Sequence, residues 1–217
     1  SGIEIDGAYE EREEPVAGGD LYISLDVNLQ NYAVQACKKV KKEKKAKQVS
    51  MILMNPQNGE IYAMVNVPEY DLNDPFSLSA KKRKANSKKQ QEYLNKKWRN
   101  FCLNDTYEPG SVFKIVTATA GLESLKVSVN DHFNCPGFRI VEDRKIRCHK
   151  VGGHGSETFK EGVMNSCNPV FMDVGARVGV DGMYQTFRQL GLFEKTGIDL
   201  PGEASSIMHQ KKNVGAV

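Results

Sequence analysis

No apolar run in this 217-residue chain approaches the roughly 20 residues that a membrane-spanning helix requires. The opening also lacks the basic start and apolar middle of a signal peptide, because Ser1 to Gly19 is polar and has no clear period. If a longer parent is membrane-anchored, its anchor lies outside this sequence. The lysine-rich segment Lys38–Lys47 holds seven lysines and one glutamate, yet it carries neither aromatic residues nor a recognition motif. That argues against nucleic acid as a partner, since the lysines are explained by a solvated helix C-terminus whose dipole favours cations. The five cysteines match no small zinc-finger spacing, and the single tryptophan, Trp98, is expected to pack and not to bind.

What remains is a globular composition. Forty per cent hydrophobic residues suffice for one sizeable domain or one and a half. Net charge is only +3, but it is unevenly spread: residues 4–20 carry seven acids, and residues 81–99 carry nine Lys and Arg against one acid. We read residues 1–19 as a connector or the remnant of an upstream non-catalytic domain. Leu21–Asp26 alternates like a strand, and Asp26 is placed to cap a helix from Val27 with Leu29, Tyr32, Ala33, Ala36 and Val40 on one face. Residues 49–54 and 60–65 form two apolar runs around Asn55-Pro56-Gln57-Asn58-Gly59, which predicts an antiparallel hairpin. Residues 67–76 read as a loop, and 81–99 as an exposed, partly helical insertion.

The chemistry concentrates after Tyr107. Pro109-Gly110 breaks a loop before Ser111-Val112-Phe113-Lys114 and the apolar run from Ile115 to Ala120. This places Ser111 at or near the first turn of a buried helix, where the dipole favours a developing alkoxide. Position i+3 shares a helix face with position i, so the Lys114 amine is expected to fold back towards the Ser111 hydroxyl and to serve as its base. S-x-x-K alone is a common accident, and a capping serine beside a solvated lysine would explain it. Here, however, Ser166-Cys167-Asn168 follows 55 residues after Ser111.

The pair of motifs resembles the penicillin-binding transpeptidases, with S-x-x-K first and S-x-N second. Leu21–Asp26, Asn-Gly-Glu-Ile-Tyr-Ala-Met-Val, Tyr-Glu-Pro-Gly-Ser-Val-Phe-Lys, Ser-Cys-Asn-Pro-Val-Phe and Lys-Thr-Gly-Ile-Asp-Leu-Pro-Gly-Glu occur in that order. Together they look like the N-terminal part of the transpeptidase domain of a class B penicillin-binding protein, over residues 20–217. The resemblance implies an α+β fold shared with serine β-lactamases, an antiparallel sheet flanked by helices, here incomplete at the C-terminus. It implies an enzyme on the outer face of the bacterial cytoplasmic membrane, held by an N-terminal helix absent from this chain. Such enzymes cross-link peptidoglycan stem peptides, are acylated by β-lactam antibiotics, and work with wall-synthesis membrane proteins. Carried over residue by residue, Ser111 would attack the penultimate D-alanine carbonyl, with Lys114 as base. Ser166 and Asn168 would relay the proton and hold the substrate amide, and the Ser111 backbone N–H would form half of the oxyanion hole.

Lys195-Thr196-Gly197 spells the family's third motif, but only 26 residues separate it from Asn168 and it runs into the turn-rich Ile-Asp-Leu-Pro-Gly-Glu. It is therefore read as a structural loop, with the catalytic K-T-G expected beyond Val217. Other classes remain open: a β-lactam-binding sensor, a serine β-lactamase or a non-catalytic wall-assembly scaffold. No glutamate stands in a block that would deacylate a β-lactamase intermediate.

Cys135, Cys148, His154 and Cys167 follow one another at gaps of 12, 5 and 12 residues. Three thiolates and one imidazole suit a closed, structural zinc site. A disulfide or buried free thiols would use the same cysteines, and His149 is the substitute imidazole. The resemblance adds that some class B transpeptidases bind zinc here, with carboxylates at the places of Cys135 and Cys148. Cys167 is the middle residue of S-x-N and is expected to point away from the cleft that Ser166 and Asn168 face. Cys37 and Cys102 read as core residues.

Overall fold

The computed structural model describes residues 16–141, 143–211 and 214. Residues 1–15, on which most of the expected connector falls, lie outside the described residues. The chain divides after Asp71 into two compact units.

In the first unit, α1 (Val27–Glu43) starts where Asp26 predicts it, with the carboxylate accepting from the backbone N–H groups of Asn28 and Leu29. Its buried residues, Ala33 and Cys37, meet Ala63, Val65 and Val67 of the hairpin. β1 (Val49–Met54) and β2 (Ile61–Val67) pair antiparallel from Val49↔Val67 to Met54↔Ile61, as the Asn-Gly signal predicts. The Gln30 amide exchanges two 2.9 Å hydrogen bonds with the backbone of Met64, tying the helix to β2.

Leu21–Asp26 is not a strand, contrary to its alternation. One backbone bond, Asp26 N–H to Tyr62 C=O, and one from the Ser24 hydroxyl to Ile61 C=O join it to β2. The helix begins at the next residue, so no ladder develops. Leu21 and Tyr22 are 86% and 91% exposed, without the buried face that fixes a strand's register.

The second unit opens with the short helix α2 (Ala80–Arg83), α3 (Ser87–Trp98) and α4 (Phe101–Asn104). Trp98 packs as expected, edge-on to Phe76, and its indole N–H donates to Pro75 C=O. The centre of this unit is α5 (Lys114–Glu123) against α7 (Asn168–Gln189), which breaks at Gly179. Two antiparallel ribbons frame them: β3 (His132–Cys135) with β6 (Gly155–Thr158), and β4 (Phe138–Val141) with β5 (Arg144–Arg147). Between β6 and α7 lies α6 (Phe159–Met164). The buried cluster of Val127, Phe133, Phe159, Val170, Phe171 and Val174 includes three cysteines, Cys135, Cys148 and Cys167. Helices and antiparallel strands thus form an α+β fold. Cys37 is fully buried, whereas Cys102 on α4 is only half-buried.

Candidate active site

Ser111 sits in a 3-10 turn, Gly110–Phe113, that leads into α5 at Lys114. In that geometry side chains three apart eclipse, which puts the hydroxyl and the lysine stem on one side. The amine does not fold back, however. Lys114 Nζ reaches across to α7 and donates to Ser166 C=O at 2.6 Å, Ser166 Oγ at 3.0 Å and Asn168 Oδ1 at 2.7 Å. These three acceptors match the three N–H bonds of an ammonium. The Ser111 hydroxyl is exposed and has no hydrogen-bond partner among the described residues. The Phe171 ring lies 5.4 Å from the amine, and burial holds the Lys114 pKa below the usual lysine value, against the Cys148 and Cys167 thiols, which act to raise it.

The turn carrying Ser166 is built by local sequence. Thr158 and Glu161 make a capping box that starts α6. At its other end, Ser166 N–H donates to Val163 C=O and Cys167 N–H to Gly162 C=O, the two bonds of a Schellman motif. Gly162 allows the turn to close on α7, since a Cβ there would stand 2.7 Å from Val170 Cγ1. The residue after the C-cap in this motif needs positive φ and is usually glycine. Here it is Ser166, at φ 46°, a left-handed conformation that costs a non-glycine residue about 1 kcal/mol. Ser166→Gly is therefore expected to raise the melting temperature by about 2–4 °C while slowing acylation by about 10²-fold or more. Ser166→Ala should lose the chemistry without the gain, and thermal melts beside acylation rates check both.

Cys167 faces the other way, as expected. It is fully buried, while its two neighbours in sequence meet Lys114. The ligand atoms of Cys135, Cys148, His154 and Cys167 all lie within 4.8 Å of one another. Cys148 Sγ is 3.6 Å from His154 Nδ1, about the edge of a tetrahedron with Zn–S of roughly 2.3 Å and Zn–N of roughly 2.0–2.1 Å. His149 stands at 3.9 Å from the same sulfur but is exposed. Gly153, at φ 76°, makes the approach feasible: a Cβ there would collide with the Cys135 carbonyl.

Burial alone would push the Cys148 thiol up, but the backbone N–H groups of Lys150 and Asn168 and the thiols of Cys135 and Cys167 outweigh it and hold the pKa below the usual range. Burial and then the neighbouring Glu157 carboxylate push the Cys167 thiol well above it. The positive end of α7 thus faces sulfurs that a divalent cation would convert to thiolates, and the donor set fits zinc. This cluster touches the lysine site through backbone. Asn168 Nδ2 donates to the carbonyl of Arg147, next to Cys148, which orients the side chain whose Oδ1 accepts from Lys114.

Two participants escape sequence reasoning, the Arg147 carbonyl and Glu157. The first is a backbone atom, invisible in residue type. The second is a polar residue on a four-residue strand with no apolar alternation to mark its buried face. Lys195–Gly197 lies in a loop, as expected, where Thr196 N–H donates to the Glu203 carboxylate at 2.7 Å.

Residues 49–217 match the model of the penicillin binding protein transpeptidase domain. Stage V sporulation protein D of Bacillus subtilis is 35% identical over 204 residues, covering 94% of this chain and 29% of its own length. Peptidoglycan D,D-transpeptidase MrdA of Acinetobacter baumannii is 29% identical, over 90% of this chain and 28% of its own. Among solved structures, the penicillin-binding protein PBP2 from Helicobacter pylori superposes with a TM-score of 0.68 at 31% identity, covering 84% of this chain and 33% of that one. The chain spans about three tenths of the length of the curated relatives it matches. With the paired motifs, the α+β fold and these matches in agreement, the chain belongs to the class B penicillin-binding protein transpeptidase family.

Proposed function

We propose that this chain carries the acylating centre of a serine D-alanyl-D-alanine transpeptidase that cross-links peptidoglycan stem peptides and is acylated by β-lactams. The observation that supports this most is the Lys114 amine, one turn from Ser111 and held on Ser166 and Asn168. Ser111 Oγ attacks the carbonyl carbon of the penultimate D-alanine, and its proton passes to the neutral Lys114 amine. The ammonium so formed can pass a proton to Ser166 Oγ, to which it already donates, while the Ser166 hydroxyl gives up its own. The C–N bond then breaks, and the departing D-alanine amine takes a proton relayed through Ser166. An amine from a second strand later attacks the acyl-enzyme. The second N–H of Asn168, not used by Arg147, holds the substrate amide.

Zinc bound by Cys135, Cys148, His154 and Cys167 would supply a structural cross-link behind the catalytic turn and no reacting group. No described helix is long and apolar enough to cross a membrane. Work on the outer face of the cytoplasmic membrane, alongside wall-synthesis membrane proteins, is the setting we propose by analogy with the family. Labelling with fluorescent penicillin tests the reading, in this chain and in any longer protein that contains it. The label is expected on the unsubstituted protein and absent from Ser111→Ala, and its persistence there would remove Ser111 from the role.

A further inference from the structure

The four residues proposed to hold zinc are almost shut off from solvent. Cys135 and Cys167 are 0% exposed and Cys148 is 4% exposed, and the His154 side chain is 7% exposed. A closed structural site keeps no open position, yet a hydrated cation has to reach it by some path. Cys148 is the least buried of the three cysteines, and the next residue, His149, is exposed. No step above uses His149. Its Nδ1 nevertheless stands 3.9 Å from Cys148 Sγ, the same sulfur that has His154 Nδ1 at 3.6 Å. The two imidazole rings lie 5.2 Å apart between centroids, with their planes at 59°. The turn between them brings both to one sulfur: Gly153 N–H donates to Lys150 C=O at 2.9 Å, and Gly153 holds a φ of 76°. A histidine that serves only solubility leaves its ring nitrogens to water, whereas this one turns Nδ1 towards the outermost cysteine.

We infer that His149 is the entry ligand of the metal centre, a role that rests on the proposed reading of Cys135, Cys148, His154 and Cys167 as a metal site. With Cys148 it takes a divalent cation from solvent and gives it up to the buried residues. His149 supplies the first imidazole because it is the one in water, and His154 replaces it on the same sulfur as Cys135 and Cys167 close the site. Each thiol that becomes a ligand releases its proton to solvent. Release follows the same path backwards, so His149 speeds both directions and leaves the equilibrium where it was.

Cobalt(II) is the probe, with the thiolate charge-transfer and d–d bands as readout. Stopped-flow mixing with metal-free protein reads uptake, and excess chelator added to cobalt-loaded protein reads release from a filled centre. The unsubstituted protein is expected to bind one cobalt with a tetrahedral thiolate spectrum. His149→Ala is expected to slow uptake and release alike by about 10-fold, with affinity unchanged to within about twofold and the bands unmoved. His154→Ala, by contrast, is expected to weaken binding and shift the bands. Unchanged uptake and release in His149→Ala would overturn the inference and leave the metal site standing. So would altered bands with weaker affinity in that variant, because His149 would then be a resident ligand. Should the metal-free protein unfold, release from the loaded protein decides alone, and should His149→Ala not fold, the same rates in His149→Gln decide. A protein that shows no thiolate-bound cobalt at all would overturn both the entry role and the metal site.

Discussion

Lys114→Ala is expected to slow acylation by β-lactam by about 10³-fold, within the range that a positioned general base contributes. The substitution removes the proton acceptor and also leaves Ser166 C=O, Ser166 Oγ and Asn168 Oδ1 without their shared donor. The alanine variant should therefore acylate slowly even at high pH. In the unsubstituted protein the acylation rate should rise with pH as the ammonium deprotonates. Because burial lowers this pKa, the midpoint of the rise should lie below the 10.5 of an ordinary lysine. Stopped-flow acylation against pH reads both effects. Lys195→Ala is the control, since Lys195 is exposed in a loop and its loss should change the rate by less than about twofold. A Lys195→Ala defect as severe as that of Lys114→Ala would give the nearby K-T-G a catalytic role and overturn its reading as a structural loop.

Cys148→Ser is expected to release the metal and to destabilise the protein well beyond a single lost contact. A ligand at 1,000 times its dissociation constant stabilises the folded state by about 4 kcal/mol. For a unit of this size that corresponds to a fall of roughly 8–16 °C in melting temperature. Acylation should fall as well, on the order of 10²-fold, because Asn168 is oriented by the Arg147 carbonyl beside Cys148. Elemental analysis should find close to one zinc per chain in the unsubstituted protein and none in the variant. Three freely reactive thiols in an Ellman titration of native protein would contradict the centre.

Signals confined to a few neighbouring residues were readable from sequence. Asp26 caps α1 and Asn58-Gly59 turns the hairpin, each through bonds spanning two to five positions. Leu21–Asp26 shows the limit of a periodic pattern: alternation supplies two faces, but a strand also needs a partner edge and a core to bury one of them. The direction of the Lys114 amine was out of reach for a related reason. Spacing along one helix fixes where its stem begins, while the acceptors come from the N-terminus of α7, over 50 residues away. The cysteines were noticed by type and count, and their convergence depends on backbone approaches at Gly153 and Gly162 that no spacing rule expresses.

A crystal of the protein soaked in penicillin gives the most direct test. Continuous electron density from Ser111 Oγ to the carbonyl carbon of the opened lactam ring is expected, with Lys114 still beside Ser166 and Asn168. A drug lying intact in the cleft, or joined to a different side chain, would contradict the mechanism.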